Sequence, residues 1–353
     1  MKGANQLLLH NGGLLFLKDY FDFPTGFPFP QPCKPIMIGQ FNSLFIPIIY
    51  SIVFLLGVFG NGMLIFIIAR HKQGKTLTDT FILHLAIADL LLVFTLPFWM
   101  VEAVSGWVFG NAMCKITGGV FALNLYSSIL FLVCISFDRY LAIVHAIHMY
   151  RRRKPLHIHG ICLLIWVFCL LLALVDLIFR DVYEPSYLEM KACTYSFGVE
   201  SAKAWKIFLR LFHHSMGFFL PVAAMLYCYC MIFRTLWHSN VFERQKSLKV
   251  VVTIVVVFVV CWLPYNAVLF VDTLESLDAI RANCAMLNTL DISRTVTQSL
   301  GLVHSCLNPL LYAFIGVRFR GEMLRVLADV GSLKVPKIIS RQGSREGGTS
   351  SDF

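Results

Sequence analysis

Residues 43–70 read SLFIPIIYSIVFLLGVFGNGMLIFIIAR, and the only charged side chain of this run is the arginine at its end. A helix of about 20 apolar residues is long enough to cross the hydrocarbon core of a bilayer. The run is therefore predicted to span a membrane. Comparable runs follow along the chain, and we predict spans at residues 43–70, 78–103, 111–144, 157–179, 204–236, 246–272 and 290–315.

The composition agrees with a membrane protein, because hydrophobic residues make up 58% of the chain and charged residues only 14%. Ordinary soluble domains are far less apolar. We therefore predict an all-α seven-transmembrane helix bundle. After the last span, apolar residues such as Phe319 and Leu327 alternate with arginines, as in a helix that lies on a membrane surface. The predicted divisions are an extracellular N-terminal tail at 1–42, the bundle at 43–316, an amphipathic membrane-surface helix at 317–330 and a cytoplasmic tail at 331–353.

Basic residues fall in the loops after the first, third and fifth spans, as at residues 151–154, and again after the seventh span. The loops on the other side are mixed in charge. Basic loops stay on the cytoplasmic side, so the N-terminus is predicted to lie outside. The formal net charge of +10 then belongs mainly to a cytoplasmic surface that meets membrane lipids and proteins. It gives no reason to predict nucleic-acid binding.

The chain has 11 cysteines, and four of them, Cys33, Cys114, Cys193 and Cys284, fall in predicted extracellular segments. Disulfides persist outside the cell, and four cysteines allow three pairings. In one of these, Cys114 and Cys193 would tie the second outer loop to the third span, while Cys33 and Cys284 would tie the N-terminus to the seventh. Four free thiols are the alternative. The remaining cysteines lie in apolar runs, where they serve as small packing residues.

The N-terminal tail contains two short apolar patches, at residues 7–9 and 14–17. Together they resemble a weak signal peptide. The polar and glycine residues at 10–13 interrupt the patches, which favours a tail that is retained in the protein. Both interpretations stay open at the level of sequence.

One carboxylate, Asp89, lies in the middle of the second predicted span. A charged group at this depth has to be neutral, paired or bound to a cation. Partners are available on neighbouring spans at Asn124, Ser128, His304 and Asn308. The alternative is a protonated aspartate that makes structural hydrogen bonds.

Two further patterns indicate where the bundle bends and where it meets the cytoplasm. Trp262 precedes Pro264 in the sixth span, and Pro309 lies in the seventh; a proline removes a helix hydrogen bond and can kink the helix. At the inner end of the third span, the Asp138 carboxylate is placed to hold the adjacent Arg139 guanidinium. The alternatives are a core tryptophan beside an ordinary kink and a solvated charged helix end.

With these motifs in order, the chain resembles a class A (rhodopsin-like) G-protein-coupled receptor over nearly its whole length. At least one motif falls in each predicted span. The matching residues are Gly60-Asn61, residues 85–89, Asp138-Arg139-Tyr140, Trp166, Pro221, residues 261–264 and residues 308–312.

Within that class the chain resembles the chemokine receptors, on residues 95–99 (TLPFW), 138–146 (DRYLAIVHA) and 304–309 (HSCLNP). The additional pair Cys33 and Cys284 is also a mark of that family. Residues 176–179 and 308–320 are most similar to the CXC branch. Within this branch the chain looks most like the third subtype, whose ligands are interferon-inducible chemokines.

The resemblance implies a multi-pass plasma-membrane receptor rather than an enzyme. It would transmit binding of a CXC chemokine to a heterotrimeric G protein of the inhibitory class and so drive chemotaxis. Receptor kinases, arrestin and membrane lipids are the other implied partners. The alternatives are an atypical scavenging chemokine receptor and a class A receptor for another peptide ligand. A transporter would show repeated halves or broken helices, and neither is visible.

The resemblance also implies two parts of a ligand site. An acidic tail segment with Asp19, Tyr20 and Asp22, in which the tyrosine is a candidate for sulfation, would attract a basic chemokine. A pocket between the outer helix ends would take the ligand's N-terminus. Its predicted residues are Trp99, Glu102, Phe121, Tyr126, Asp176, Arg210, Tyr265, Asp272 and Gln298, and for Glu102 and Asp272 solvated loop-edge carboxylates are the alternative.

The remaining implied sites lie deeper in the bundle and in the tail. The predicted activation switch and G-protein contact comprise Asp138, Arg139, Tyr140, Tyr229, Trp262, Pro264, Asn308, Pro309 and Tyr312. An allosteric sodium ion is predicted at Asp89, Asn124, Ser128, His304 and Asn308. Phosphorylation is predicted at Ser340, Ser344, Thr349, Ser350 and Ser351, with an unmodified tail as the alternative. We predict no catalytic residue and no other metal site.

Overall fold

A computed structural model of the chain describes residues 6–10, 13–15, 36–70, 77–145, 155–184, 190–198, 201–237, 245–315, 321 and 323. These residues form a helix bundle with a small sheet at its outer end. The helices are α1 Ile36–Arg70, α2 Leu77–Val93, α3 Leu96–Ser105, α4 Gly110–Val144, α5 Pro155–Phe179, α6 Ala202–His214, α7 Leu220–Trp237, α8 Gln245–Ser276 and α9 Cys284–Ile315.

Six helical segments in the described part of the chain are long and apolar enough to cross a membrane. They comprise α1, α2 with α3, α4, α5, α6 with α7, and α8. The seventh span is α9, which packs along α1 and α8. This helix is less apolar than its neighbours because it carries polar side chains such as Asp291, Arg294 and His304. The predicted seven-helix architecture is confirmed.

Two of the spans are interrupted helices. A turn at Phe94 and Thr95 separates α2 from α3, and the Thr95 hydroxyl donates to the Leu92 carbonyl at 2.7 Å. Pro97 is the second residue of α3, in the first helical turn, where its missing N–H costs little. A π-helical turn at Ser215–Phe219 joins α6 to α7 ahead of Pro221. By contrast, α8 and α9 continue through Pro264 and Pro309.

The outer end carries a four-stranded antiparallel sheet in the order β2-β1-β4-β3. Its strands are β1 Gln6–His10, β2 Gly13–Leu15, β3 Arg180–Tyr183 and β4 Ala192–Gly198. In its register Leu9 pairs with Tyr195, and Tyr195 pairs in turn with Arg180. The apolar patches predicted in the N-terminal tail therefore lie largely in strands that extend the hairpin of the second outer loop.

The predicted disulfide between Cys114 and Cys193 is confirmed, and it joins the outer start of α4 to β4 with Cα atoms 5.5 Å apart. Both cysteines are buried together with Trp107. Cys284, the first residue of α9, is also disulfide-bonded. Its predicted partner Cys33 lies outside the described residues, so that pairing stays a prediction.

The main core lies around α4, in the centre of the bundle. Its largest fully buried side chains include Phe131, Phe258 and Trp262. Gly301 of α9 allows α8 to come close, since a Cβ atom there would meet the Trp262 ring at 2.9 Å. Small residues permit this kind of close helix contact in membrane bundles.

The boundaries of the bundle differ from the predicted ones at its start. Helix α1 begins at Ile36, ahead of the predicted start at residue 43, so residues 36–42 of the predicted tail 1–42 belong to the helix. The terminal helix predicted after the last span is present, and Gly321 and Met323 are its described residues. The tail at 331–353 lies outside the described part of the chain.

Candidate functional site

The acidic side of the predicted outer pocket is built around Asp176, in the last turn of α5. Its side chain is buried, and its Oδ1 atom accepts two hydrogen bonds, from Arg180 Nε at 2.7 Å and from the Tyr195 hydroxyl at 2.6 Å. A buried carboxylate needs such partners to offset the loss of hydration. Burial and the Asp176 charge raise the pKa of Tyr195 well above its ordinary value, so Tyr195 remains a hydrogen-bond donor.

The Arg180 side chain lies against two aromatic rings. Its guanidinium carbon is 4.6 Å from the centre of the Tyr195 ring and 5.7 Å from the centre of the Trp99 ring. A cation over an aromatic face is attracted by the negative charge of the ring surface. Room for this side chain comes from Gly118 of α4, because a Cβ atom there would overlap Arg180 Cδ and Nε.

Glu102 of α3 completes this side of the pocket. Its Oε1 atom accepts a hydrogen bond from the backbone N–H of Cys193 at 2.7 Å. The outer loop is thus attached to the second span next to the disulfide. Glu102 is half-buried, so the alternative of a solvated loop-edge carboxylate is wrong for it.

On the opposite side, Asp272 of α8 holds two arginines. Arg210 of α6 and Arg294 of α9 both form an ion pair with Asp272 Oδ2. Arg210 also donates to the Asp272 carbonyl at 3.0 Å and to Ser276 Oγ at 3.1 Å. Because Asp272 is only 3% exposed, the loop-edge alternative is wrong here as well. The cluster ties three helices together.

Aromatic side chains form the floor between these two sides. The Tyr126 ring lies 6.3 Å from Phe212, and the Tyr265 ring lies 5.7 Å from Trp262 and 5.9 Å from His213. Phe121 packs against two core clusters, and Gln298 is half-buried on α9. The predicted pocket residues are thus brought to the outer half of the bundle, while their contacts with a ligand stay predictions.

Below the floor, Trp262 connects the sixth span to the seventh. Its indole Nε1 donates to His304 Nδ1 at 3.2 Å. The other ring nitrogen of His304 lies 3.8 Å from Asp89 Oδ1. The predicted switch tryptophan and the predicted sodium residues are therefore neighbours.

Asp89 is fully buried, and its predicted partners surround it. Asn124 Nδ2 donates to Oδ1 at 3.1 Å, and Ser128 Oγ lies 3.5 Å from the same atom. Asn308 Nδ2 donates to Oδ2 at 2.9 Å. These residues therefore lie around Asp89, as the sequence predicts.

At the inner end, the Asp138 carboxylate lies 3.1 Å from the Arg139 guanidinium. Thr78 of α2 joins this pair: its hydroxyl donates to Asp138 Oδ2 at 2.9 Å and accepts from Arg139. We call these three residues the inner lock. Nearby, the Tyr229 hydroxyl lies 2.9 Å from Ser136 Oγ, and Tyr312 is buried in the main core. Tyr140 instead contacts His145 at 2.9 Å.

Sequence reasoning missed Arg180, Tyr195, Arg294 and Thr78. A signal was available for two of them: Arg180 follows Asp176 at the spacing of one helical turn, and Arg294 is a costly cation inside a predicted span. Several predicted residues lie outside the described part of the chain. They are Asp19, Tyr20, Asp22, Cys33, Ser340, Ser344, Thr349, Ser350 and Ser351.

The bundle, the buried polar axis from Trp262 through His304 to Asp89 and the inner lock define a seven-helix membrane receptor. Residues 60–312 match the family model of the rhodopsin-family seven-transmembrane receptors. The chain is 43% identical over 300 residues to C-X-C chemokine receptor type 3 of Bos taurus, covering 85% of this chain and 81% of the relative. It is 42% identical over 298 residues to type 5 of Rattus norvegicus, covering 84% and 79% of the two chains. With type 2 of Macaca mulatta the identity is 41% over 310 residues, covering 88% and 87%.

The chain therefore belongs to the rhodopsin family of seven-transmembrane receptors and, within it, to the CXC chemokine receptors. It is a receptor rather than an enzyme, and it is a multi-pass protein of the plasma membrane.

Proposed function

We propose that this receptor binds CXC chemokines in the outer pocket and passes the signal to a G protein of the inhibitory class, which drives chemotaxis. The relatives are named as CXC chemokine receptors, which supports the ligand class. The observation that carries the proposal is the polar axis from Trp262 through His304 to Asp89, between the outer pocket and the inner lock.

Activation is proposed as a shift between two states of the bundle. In the described state, Arg139 is held by Asp138 and Thr78. Ligand contacts in the outer pocket would favour a state in which the inner half of α8 moves outward. Arg139 is then released to contact the G protein, and Tyr229 and Tyr312 rearrange beside it.

The experiment measures inhibition of cAMP in cells that express this chain, across a panel of CXC and CC chemokines. We expect at least one CXC chemokine to lower cAMP, and pertussis toxin to remove the effect if the G protein is of the inhibitory class. Arg139→Ala should abolish the signal at equal surface expression. Arg234→Ala, at an exposed position near the inner end of α7, is the matched control and should keep it.

Three outcomes would contradict parts of this proposal. Uptake of labelled chemokine without any G-protein signal would identify a scavenging receptor. A response to another peptide and to no chemokine would reject the ligand class. Loss of signal in Arg234→Ala to the same extent as in Arg139→Ala would show that Arg139 has no special role.

We also propose that a sodium ion at Asp89 favours the resting state. The Asp89 carboxylate and the Ser128 hydroxyl are oxygen ligands of the type that hard cations prefer, and they lie 3.5 Å apart with Asn124 alongside. The residues present therefore fit such an ion. Replacing NaCl by choline chloride should raise agonist affinity several-fold, and Asp89→Asn should remove this dependence. An agonist affinity that changes neither on replacement of NaCl nor in Asp89→Asn would contradict the proposed sodium site.

Phosphorylation of the tail serines and Thr349 by receptor kinases is proposed to create the negative charge that arrestin recognises. Alanine at all five predicted positions should abolish agonist-driven arrestin recruitment while the cAMP response remains. Unchanged arrestin recruitment in this variant would reject the predicted positions.

A further inference from the structure

Arg180 occupies a place that is built for a cation. Asp176 of α5 pairs with it at 2.7 Å, Glu102 of α3 attracts it electrostatically without a direct contact, and the Trp99 and Tyr195 rings flank it. Carboxylates together with aromatic faces are how proteins bind ammonium and guanidinium groups. We call these four residues the cation cage.

The occupant of the cation cage belongs to the receptor itself. Arg180 is the first residue of β3, directly after the end of α5, so its backbone lies in the outer loop and not in a membrane span. Its side chain nevertheless points into the bundle, where it is 14% exposed and pairs with Asp176. Two of the predicted ligand residues, Trp99 and Asp176, are therefore already engaged by an internal cation.

We infer that Arg180 is a built-in competitor: a cationic group of the ligand enters the cation cage only by displacing the Arg180 side chain. This inference rests on the proposed function and names the chemistry of the group that the site takes, a primary ammonium or a guanidinium at the end of a peptide. Arg180 is then a specificity-determining residue, because an incoming cation must bind the cation cage more favourably than the Arg180 side chain does.

A substitution at Gly118 is a second, independent way to displace the Arg180 side chain. The Arg180 Cδ and Nε atoms lie where a Cβ atom of residue 118 would be. Gly118→Ala should therefore push the side chain out of the cation cage without removing its charge. If Arg180 competes with ligands, the two changes Arg180→Leu and Gly118→Ala should act in the same direction.

The first test needs no chemokine. In a Trp99→Cys background, the rates of modification by a trimethylammonium-ethyl and a sulfonato-ethyl methanethiosulfonate are compared on intact cells, with the receptor that retains Trp99 as the blank. Arg180→Leu should raise the ratio of the cationic to the anionic rate about tenfold, because it uncovers two nearby carboxylates. Arg180→Lys should leave the ratio unchanged. Arg281→Leu removes an exposed outer arginine and is the matched control.

The second test uses the chemokine that is active in the cAMP panel, with a free and with an acetylated amino terminus. Arg180→Leu should raise the affinity of the free form relative to the acetylated form about tenfold, and Gly118→Ala should shift it in the same direction. Equal loss of affinity for both forms in the two variants would show that Arg180 is a scaffold residue and overturn the inference.

The two tests separate the inference from the proposed function. A changed reagent ratio together with no chemokine binding supports the cation cage and rejects the chemokine ligand. The opposite result is a chemokine signal together with a ratio of cationic to anionic modification rates that changes no more than in Arg281→Leu. That result supports the proposed function and overturns the inference. If the Arg180→Leu receptor does not reach the cell surface, Gly118→Ala takes its place in both tests. The ratio of modification rates and the relative affinity for the free amino terminus should then change in the same direction.

Discussion

Each end of the bundle holds an arginine against a buried aspartate, but the two ends do so in different ways. The inner lock consists of two adjacent residues on one helix, Asp138 and Arg139, together with Thr78 from α2. At the outer end, Asp272 gathers arginines from two other helices. The two inner residues stay neighbours in the chain whatever the bundle does, and only their side chains separate when Arg139 is released, whereas the outer cluster exists only while three helices are in register. The outer cluster should therefore contribute to stability, and the inner lock mainly to signalling.

The largest expected effect is on the outer cluster. Asp272→Asn leaves two buried arginines without their shared carboxylate, and breaking a buried ion pair costs about 3–5 kcal/mol. We expect a marked fall in the thermal unfolding midpoint of the detergent-solubilised receptor.

The matched control for this prediction is Asp278→Asn. Asp278 pairs with Lys203 at 2.5 Å, but both side chains are more than half exposed, and such pairs contribute about 0–1 kcal/mol. A similar loss of stability in both variants would contradict the assignment of the stabilising role to the buried cluster.

The next largest effect concerns the disulfide that fixes the outer loop. Cys193→Ser releases β4 from α4, and removing such a crosslink costs about 2–4 kcal/mol. We expect lower surface expression and loss of ligand binding, because Tyr195 and Arg180 lie on the two strands of the released hairpin. Cys230→Ser removes an exposed free thiol and should leave both measurements unchanged.

The smallest expected effect is on the inner lock. Thr78→Val removes one hydroxyl from the contacts of Asp138 and Arg139, which corresponds to about 1 kcal/mol. We expect higher basal G-protein signalling without agonist and an unchanged unfolding midpoint.

Thr253→Val is the control for this change, since the exposed Thr253 hydroxyl donates within its own helix, to the Lys249 carbonyl at 2.8 Å. A loss of stability in Thr78→Val comparable to that in Asp272→Asn would remove the distinction between the two ends of the bundle.

The predictions from sequence succeeded where a single residue type carries the information. The spans followed from apolar length, and the pairing of Asp138 with Arg139 followed from adjacency. The meeting of Asn124 and Asn308 at Asp89 could be predicted because a buried carboxylate requires partners. Arg180 was missed because it stands just past the end of α5, where a charged side chain is ordinarily solvated.

Thr78 shows the limit of such reasoning most clearly. A threonine near a helix start carries no distinguishing signal, and its partner Asp138 lies 60 residues away in the chain. The addition of β1 to the outer hairpin could not be predicted either. A strand joins a sheet edge through backbone hydrogen bonds, which do not depend on particular side chains.

The sequence by itself determined the number of spans, their orientation and the family, because hydrophobic length and loop charge act locally along the chain. The tertiary structure alone decided that Arg210 and Arg294 share Asp272 and that two aromatic rings flank Arg180. Arg210 and Asp272 are 62 residues apart, and the Trp99 and Tyr195 rings meet the Arg180 side chain only in the folded bundle. In a low-dielectric interior every charge requires a partner, but between residues far apart in the chain only the packing of the helices determines which one is within reach.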